Sequence, residues 1–272
     1  DPFPLWEEVL NGSVKLHRRN YLGHQISAPV PVAALAGLLG DFINNGMGVY
    51  EMGAPGTAIE RVVVQTVARA MGLPAEADGV LTSGGTLANL TALLTARSVK
   101  ASQPVWREGD DGRLALMVSE EAHYCVDRAA RIMGWGEKGI IKVPVDDRYR
   151  LRTDLLDEYL ARARAEGREV IALVGSACTT ATGSFDDLPG LADFCEKNDL
   201  WFHVDGAHGG ACVFSGKYRH LVEGMERADS VVMDFHKMLL TPSVTTALLF
   251  RDGGHSFRTF SQRADYLFAQ QT

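Results

Sequence analysis

The sequence predicts an α/β protein built on a mostly parallel β-sheet. Short apolar, β-branched runs alternate along the chain with segments of helical periodicity. The runs are continuously apolar rather than alternating, which is typical of strands in a sheet that helices cover on both faces. Repeated alternation of strand and helix favours parallel pairing of the strands. The predicted strands cover residues 114–119, 140–145, 170–175, 200–205, 230–234 and 245–250.

Three amphipathic segments are predicted to form helices on the faces of this sheet. Each carries apolar residues three or four positions apart, the spacing that places them on one helix face. Residues 103–113 contain Pro, Gly and an Asp-Asp-Gly run and are predicted to form a surface loop. No internal repeat or linker divides the sequence, so we interpret residues 1–272 as one domain. The apolar positions are Ile59, Val62, Val63 and Val67 in the first segment, Leu87, Leu90 and Leu94 in the second, and Leu155, Leu156, Tyr159 and Leu160 in the third.

Composition excludes several classes of protein. The 272 residues carry a net charge of −7 with no block of Lys or Arg, which disfavours a nucleic acid or an anionic membrane as partner. No apolar run approaches the ~20 residues of a membrane helix, and the first residues do not resemble a signal peptide, so we expect a cytoplasmic protein. None of the four cysteines forms a Cys-x-x-Cys pair. We therefore expect buried free thiols rather than a metal or redox site.

Ligands of such sheets bind outside the carboxyl ends of the strands, so polar residues at those positions are the first candidates for a site. Residues 82–89 read Thr-Ser-Gly-Gly-Thr-Leu-Ala-Asn and directly precede a predicted helix. Gly84 and Gly85 would let the backbone approach an anion, Thr86 adds a hydroxyl, and the helix start offers unpaired N–H groups. This pattern predicts a phosphate-binding turn; the alternative is an ordinary helix N-cap.

Asp205 ends the apolar run at 200–205 and is followed by the small residues Gly206 and Ala207. A carboxylate in this position could pair with a cationic ring nitrogen, and the small residues would let a flat ring lie close. The alternative is a turn that ends a strand with a capping Asp.

Lys237 follows the apolar run at 230–234 almost directly. Lysine is rarely buried without a partner or a purpose, and a desolvated amine is a nucleophile toward carbonyl carbon. The alternative is a lysine whose ammonium group reaches solvent along its own stem.

His123 follows the run at 114–119, where its ring could stack on a flat ligand or could be a structural core histidine. A phosphate-binding turn, a stacking histidine, a carboxylate for a ring nitrogen and a nucleophilic lysine are together the parts that a pyridoxal 5′-phosphate (PLP) site requires. Each follows a predicted strand or begins a predicted helix, so we expect them to meet at one edge of the sheet.

These motifs resemble those of the group II PLP-dependent amino-acid decarboxylases, along nearly the whole chain. The resemblance is carried by residues 83–89 with Ala96-Arg97, and by 122–124, 179–180, 183–186, 203–205 and 236–237. The branch of glutamate and cysteine-sulfinate decarboxylases is most similar, through residues 17–25, 50–51, 224–230 and 266–268. Two departures lie on the substrate side: Asp-Gly-Ala-His at 205–208, where the family often has Asp-Ala-Ala-Trp or Asp-Ala-Ala-Tyr, and His17-Arg18, where it often has His-Pro.

The resemblance implies the large domain of fold type I, the aspartate-aminotransferase-like fold, with a mostly parallel seven-stranded sheet flanked by helices and without the small C-terminal domain. It implies that Lys237 forms the Schiff base with PLP, that Asp205 pairs with the pyridinium nitrogen and that His123 stacks on the ring. The further cofactor-binding residues implied are Gly84, Gly85, Thr86, Thr180, Ala207, Ser230 and His236, and the substrate-side residues are His24, Gln25 and His208.

The activity implied is decarboxylation of an L-amino acid, with glutamate, aspartate or cysteine sulfinate favoured as substrate. Diaminobutyrate, an aromatic amino acid, another PLP reaction on the same scaffold (decarboxylative oxidative deamination, aminotransfer or carbon–carbon lysis) and an inactive binding homologue remain alternatives. We expect a homodimer with its active site at the interface, to which residues 1–50 contribute. The sequence begins without Met and stops before the family's loop bearing a catalytic Tyr, so we expect a truncated, nicked or partly ordered form of a longer enzyme.

Overall fold

A computed structural model describes residues 2–262 of the chain. One seven-stranded sheet forms its centre, so the seven strands predicted from the resemblance are confirmed. The strands are β1 Asp78–Thr82, β2 Leu114–Ser119, β3 Ile140–Val143, β4 Glu169–Ser176, β5 Trp201–Asp205, β6 Ser230–Asp234 and β7 Thr246–Phe250. Their order across the sheet is β1-β7-β6-β5-β4-β2-β3.

The pairing pattern brings the functional strand ends to one edge of the sheet. Strands β3, β2, β4, β5 and β6 are parallel to one another, and β7 is antiparallel to both β6 and β1. Thr82 and Asp234, the last residues of β1 and β6, therefore both pair with Thr246 at the start of β7. We call this side, where β1, β2, β4, β5 and β6 end, the carboxyl edge.

Helices cover both faces of the sheet, as the apolar strands require. One core lies between the sheet and α3, α7 and α8, and a second lies between the sheet and α4 and α6. Alternate strand residues enter the two cores: Met117 of β2 enters the first, and Leu116 and Val118 enter the second. The helices are α1 Phe3–Gly12, α2 Pro31–Ile43, α3 Tyr50–Met71, α4 Gly85–Lys100, α5 Val105–Glu108, α6 Tyr124–Ile132, α7 Leu156–Ala165, α8 Leu188–Asn198 and α9 Gly253–Phe260.

The amphipathic segments are all helical, but two of the predicted faces are only partly confirmed. Val63 and Val67 of α3 contribute to the first core, and Leu90 and Leu94 of α4 pack against the second. Ile59 and Val62 of α3 are 64% and 63% exposed, and Leu87 of α4 is 46% exposed. The third face is confirmed, because Leu156 and Leu160 of α7 are buried. Helix α4 instead packs through small side chains, which let its backbone approach the strands closely. The buried residues are Val64, Val67, Ala68 and Met71 of α3, and Ala88, Asn89, Ala92, Leu93, Thr95 and Ala96 of α4.

The sequence pattern did not predict strand β1. It lies at the sheet's edge, pairs only with β7 and is only partly buried, so it lacks a continuous apolar run. Gly79 within it meets β7 so closely that a Cβ atom there would lie 2.2 Å from the carbonyl oxygen of Leu248. The predicted loop at 103–113 includes the single helical turn α5.

Helices α1 and α2 contain no buried residue although both are largely apolar. In α2, Leu35, Leu38 and Phe42 are 65%, 66% and 86% exposed. Within residues 2–262, no helix is both long and apolar enough to cross a membrane. The motif at 266–268 lies outside the described residues.

Asp186 fixes the loop that follows β4. Its carboxylate is 4% exposed, and it accepts hydrogen bonds from the backbone N–H groups of Leu151 at 2.7 Å and Ser176 at 2.8 Å. Burial is the largest influence on this group and raises the pKa of Asp186 to about 6 from an ordinary value of 3.8. The loop at 177–185 that it anchors leads along the carboxyl edge.

The raised pKa predicts a pH-dependent contribution to stability. Because the pKa of Asp186 is higher in the folded state than in the unfolded state, the protonated carboxyl favours folding. Its contribution to the free energy of unfolding is therefore present below pH ~4 and is lost as pH rises through ~6. The difference between these two pKa values corresponds to about 3 kcal/mol. We therefore compare the free energy of unfolding of wild type with that of Asp186→Asn. The difference, wild type minus variant, is expected to fall by up to this amount as pH rises from ~4 to ~7.

Urea unfolding across this pH range measures the difference directly. The exposed residue Asp147 supplies the matched control, because Asp147→Asn removes a carboxylate without a burial cost. A pH-independent difference between wild type and Asp186→Asn would contradict the prediction.

Candidate active site

The polar residues that follow the strands meet in one cavity of about 320 Å³ at the carboxyl edge. This volume lies within the range of small-molecule sites. Most of the residues predicted from the sequence line it, together with several that were not predicted. The lining residues are Ser83, Gly84, Gly85, Thr86, Asn89, His123, Cys125, Ser176, Cys178, Thr179, Thr180, Asp205, Ala207, His208, Asp234, His236, Lys237 and Val244.

The predicted phosphate-binding turn connects β1 to the first residue of α4. Gly84 has φ 121° and ψ 156°, a conformation that favours glycine. A Cβ atom on Gly85 would lie 3.2 Å from Asp234 Oδ1, so a larger residue would crowd the cavity. The first N–H groups of α4 have no partner within the helix, and they carry the positive end of the helix dipole. The turn therefore offers donors to an anion, with Thr86 beside them on the lining.

Asp205 lies at the end of β5 with 8% of its surface exposed. The Ala207 N–H donates to Oδ1 at 3.1 Å, the Asn89 amide lies 3.4 Å from Oδ2, and the Cys125 sulfur lies 3.9 Å from Oδ2. Burial raises the pKa of Asp205, whereas the Ala207 amide and the nearby Lys237 ammonium lower it. A cation placed against this carboxylate would favour its ionised form further.

Lys237 extends into the cavity rather than into solvent. Its Nζ lies 2.8 Å from Asp234 Oδ2, and its side chain is 20% exposed. Asp234 is the last residue of β6, is 3% exposed and also accepts the Thr246 hydroxyl at 2.5 Å. The carboxylate of Asp234 therefore holds the lysine ammonium beside the phosphate-binding turn, which excludes the interpretation of Lys237 as a surface lysine.

His123 caps the amino end of α6, and its Nδ1 accepts the Cys125 N–H at 3.3 Å. A neutral ring with this bond carries its proton on Nε2. Burial is the largest influence on this side chain and lowers the pKa of His123, so the ring is neutral at pH ~7. His236 lies on the opposite side, with its Nδ1 3.0 Å from the Thr245 carbonyl and its Nε2 3.7 Å from Asp234 Oδ2.

Ser230 does not line the cavity, so its predicted role as a phosphate ligand is wrong. Ser230 begins β6, is fully buried and hydrogen-bonds to Trp201 and His203. Strand rise separates it by roughly 13 Å from Asp234 at the other end of β6. The motif match located the correct strand but the wrong end of it.

The three predicted substrate-side residues differ in position. His208 lines the cavity, and its buried Nδ1 has no hydrogen-bond partner among residues 2–262. Gln25 lies outside the lining, but its side-chain amide donates to the Thr180 carbonyl at 3.0 Å and so holds the N-terminal segment at the rim. His24 is exposed and does not line the cavity. Its predicted role is not supported by this arrangement.

Sequence reasoning missed Asn89, Cys125 and Asp234 as site residues. Asp234 follows a buried strand just as Asp205 does, so the same strand-end signal could have identified it. Cys125 and Cys178 were predicted to be buried thiols; both line the cavity. Burial raises the pKa of both thiols, so they remain protonated near neutral pH.

Known proteins are similar to this chain in both sequence and fold. The family model of the pyridoxal-dependent decarboxylase conserved domain matches residues 7–272. The L-2,4-diaminobutyrate decarboxylase of Rhizobium meliloti is 35% identical over 264 residues, which cover 94% of this chain and 51% of that protein. The cysteine sulfinic acid decarboxylase of Mus musculus is 31% identical over 273 residues, which cover 96% of this chain and 53% of that protein. The chain spans about half the length of the curated relatives it matches.

The crystal structure of mouse CSAD superimposes on this fold with a TM-score of 0.92 at 30% identity, covering 98% of this chain and 57% of that one. The site's residues fit PLP, the cofactor expected from the sequence and now confirmed by the matching family model. They provide anion donors at a helix start, a buried carboxylate and a lysine within one cavity. The chain therefore belongs to the pyridoxal-dependent decarboxylase family.

Proposed function

We propose that the protein containing this chain decarboxylates an L-amino acid to an amine and CO2. The observation that carries this proposal is the convergence of Lys237, Asp205 and the turn at 84–86 on one cavity. Membership of a family of pyridoxal-dependent decarboxylases supports it independently.

Each residue has a role that follows from its position. PLP, when bound, supplies an electron sink for the charge left on the substrate Cα as CO2 departs. Lys237 attaches the cofactor through its amine, and Asp205 holds a proton on the ring nitrogen. The start of α4, with Thr86, binds the phosphate through its N–H groups. His123 would pack against the ring as a neutral side chain whose Nε2–H can donate a hydrogen bond.

Asp234 has a role that motif matching did not supply. Its carboxylate holds the Lys237 ammonium at 2.8 Å in the cofactor-free cavity. It also lies against Gly85 at the start of α4, where an arriving phosphate would meet a second negative charge. Asp234 thus positions the nucleophile, and His236 Nε2 lies 3.7 Å from the same carboxylate.

An acidic amino acid is the favoured substrate, and His208 is the residue proposed to recognise its side chain. The buried Nδ1 of His208 is unpartnered among residues 2–262, so it can donate to a substrate carboxylate or sulfinate without breaking a bond. The cysteine sulfinic acid decarboxylase relative supports an acidic substrate. Diaminobutyrate is the second candidate because a relative acting on it has comparable identity.

We also infer that the protein is a cytoplasmic homodimer that buries the apolar face of α2 against a second copy. Leu35, Leu38 and Phe42 expose more than half of their surface on this face, and exposed apolar patches of this kind mark interfaces. Gln25 connects the N-terminal segment to the cavity rim through Thr180. Dimer formation would therefore order one side of the substrate entrance.

The first test locates the attached lysine. Borohydride reduction of the full-length protein loaded with PLP, followed by peptide mapping, is expected to mark Lys237, because its amine lies inside the cavity. Lys237→Ala should lose both the label and CO2 release, whereas Lys217→Ala at an exposed lysine should keep both. A label on Lys138 or Lys217 would show that the assignment is wrong.

The second test addresses substrate class through CO2 release from glutamate, aspartate, cysteine sulfinate, diaminobutyrate and aromatic amino acids. His208→Phe is expected to raise KM for the preferred acidic substrate about tenfold while PLP affinity stays unchanged, since one hydrogen bond to a charged group is lost. The exposed variant His220→Phe is the control. Unchanged KM in His208→Phe would remove His208 from substrate recognition, and turnover of diaminobutyrate alone would reject the acidic class.

The third test measures the oligomeric state of the full-length protein by sedimentation velocity. Wild type should sediment as a dimer, and Leu38→Glu should shift it toward monomer, because the substitution places a charge in the proposed interface. Leu22→Glu is the matched control, as Leu22 is 95% exposed outside any helix. A wild-type dimer that is unaffected by Leu38→Glu would place the interface elsewhere.

A further inference from the structure

Asp205 is connected to a pair of buried polar side chains. Asn89 Nδ2 lies 3.4 Å from Asp205 Oδ2 and 2.9 Å from the carbonyl oxygen of Gly85. On its other side, Asn89 Oδ1 lies 2.8 Å from His203 Nε2. Both Asn89 and His203 are fully buried. Asn89 thus joins the phosphate-binding turn to the carboxylate at the end of β5.

The connection continues away from the cavity. His203 Nδ1 lies 2.8 Å from Ser230 Oγ, and the indole Nε1 of Trp201 donates to the same hydroxyl at 2.8 Å. Ser230 and Trp201 are also fully buried. We call Trp201, Ser230, His203 and Asn89 the polar chain.

Chemistry at the two ends fixes the direction of every hydrogen bond in the polar chain. The Asn89 nitrogen faces the Gly85 carbonyl, which only accepts, so the Asn89 oxygen faces His203. His203 Nε2 must then carry a proton, and in a neutral ring Nδ1 accepts. Ser230 donates to that Nδ1 and accepts from the indole of Trp201, which only donates. Every polar atom is satisfied in this one arrangement, and all donors point toward Asp205.

The charge state of His203 agrees with this arrangement. Complete burial lowers the pKa of His203 to about 4, so the ring is neutral at physiological pH and carries one proton. A protonated ring would bring an N–H of its own against Ser230. The hydroxyl would then have to accept from both sides.

We propose that Asn89 and His203 are positioning residues that hold an N–H on Asp205 and so keep its carboxylate ionised and aimed at the ring nitrogen of the cofactor. This inference rests on the proposed function, which assigns Asp205 to that nitrogen. Neither residue contacts the reacting atoms; His203 acts on Asn89, and Asn89 acts on Asp205.

The need for such a device follows from the burial of Asp205. Burial raises the pKa of this carboxyl, and a buried carboxylate keeps its charge only where donors surround it. The Ala207 N–H is fixed by the backbone, whereas the Asn89 amide could rotate by half a turn and present its oxygen to Asp205. His203 and the Gly85 carbonyl together prevent that rotation. A reversed amide would set two donors against each other at His203 Nε2, and two acceptors against each other at the Gly85 carbonyl and at Asp205.

Three variants of the full-length protein separate this role from simple space filling. His203→Leu removes the donor to Asn89, and His203→Gln keeps an N–H that can reach Asn89 Oδ1. Thr95→Val is the matched control: Thr95 is fully buried on the same helix α4 and donates to the Thr91 carbonyl at 3.0 Å, away from the cavity lining. Each variant is loaded with PLP that carries ¹⁵N in its ring.

The readouts are the ring ¹⁵N chemical shift as a function of pH, which reports protonation of that nitrogen, and the dissociation constant for PLP. Wild type, Thr95→Val and His203→Gln should keep a protonated ring nitrogen to pH values above neutral. His203→Leu should lose that proton at lower pH and bind PLP about tenfold more weakly, because an Asn89 amide released from His203 no longer holds its N–H on the Asp205 carboxylate and one hydrogen bond to a charged group is lost. Wild-type ring protonation and PLP affinity in His203→Leu would overturn the proposal. Losses in His203→Gln and Thr95→Val as large as those in His203→Leu would overturn it too.

Failure of the proposed function gives a different result, because wild type itself would then not bind PLP through Lys237. A second measurement covers the case in which His203→Leu does not fold. In wild type labelled with ¹⁵N-histidine, the signal absent from His203→Gln should report a neutral ring with its proton on Nε2 from pH ~5 upward. A proton on Nδ1 instead would overturn the direction of the polar chain and the proposal with it.

Discussion

The site depends on one buried negative charge, the carboxylate of Asp205 at the end of β5. A carboxylate in this position is costly unless donors or a cation compensate it. The protein supplies donors from three elements: the turn at Ala207, the start of α6 at Cys125 and helix α4 at Asn89. A cation beside the same carboxylate would stabilise it further, and the protonated ring nitrogen of the proposed cofactor is such a cation. The negative charge is thus stabilised in part by these donors and in part by the ligand.

Helix α4 contributes to both ends of the proposed cofactor site. Its first turn forms the proposed phosphate site, and one turn later Asn89 reaches Asp205. This reach is possible because α4 packs on the sheet through Ala88, Ala92 and Ala96, all fully buried. Larger residues on that face would lift the helix and lengthen the contact between Asn89 and Asp205. A packing property of the helix therefore sets the spacing between the two ends of the site.

The sequence predicted which residues lie at the carboxyl edge where strand direction and polarity coincide. Lys237, Asp205 and His123 follow continuous apolar runs, and parallel pairing alone then brings them together. Ser230 was assigned to the wrong end of its strand, because a motif match does not state which end faces the ligand. Asp234 was missed although it occupies the same kind of position as Asp205.

Other features depend on tertiary distances that spacing along the chain does not contain. The face of α4 was only partly predicted, because Leu87 is exposed and the buried side of the helix is formed largely by alanines, which carry little hydrophobic signal. The edge strand β1 lacked an apolar signal, since it pairs with one strand among the described residues and is only partly buried. The direction of the hydrogen bonds through His203 follows only once both ring nitrogens have identified partners.

The division between cofactor and substrate residues explains why the cofactor was easier to predict than the substrate. Every amino acid presents the same Cα and carboxylate to the cofactor, so the residues that hold PLP serve any substrate of this class. Side-chain selection falls to a few groups beyond the ring, such as His208 and the segment that Gln25 ties to Thr180. A donor such as His208 contributes only one or two hydrogen bonds, about 1.5–3 kcal/mol when the partner is charged. That is enough to discriminate between substrates about tenfold to a hundredfold, yet it leaves the sheet, the carboxyl edge and the buried charge unchanged.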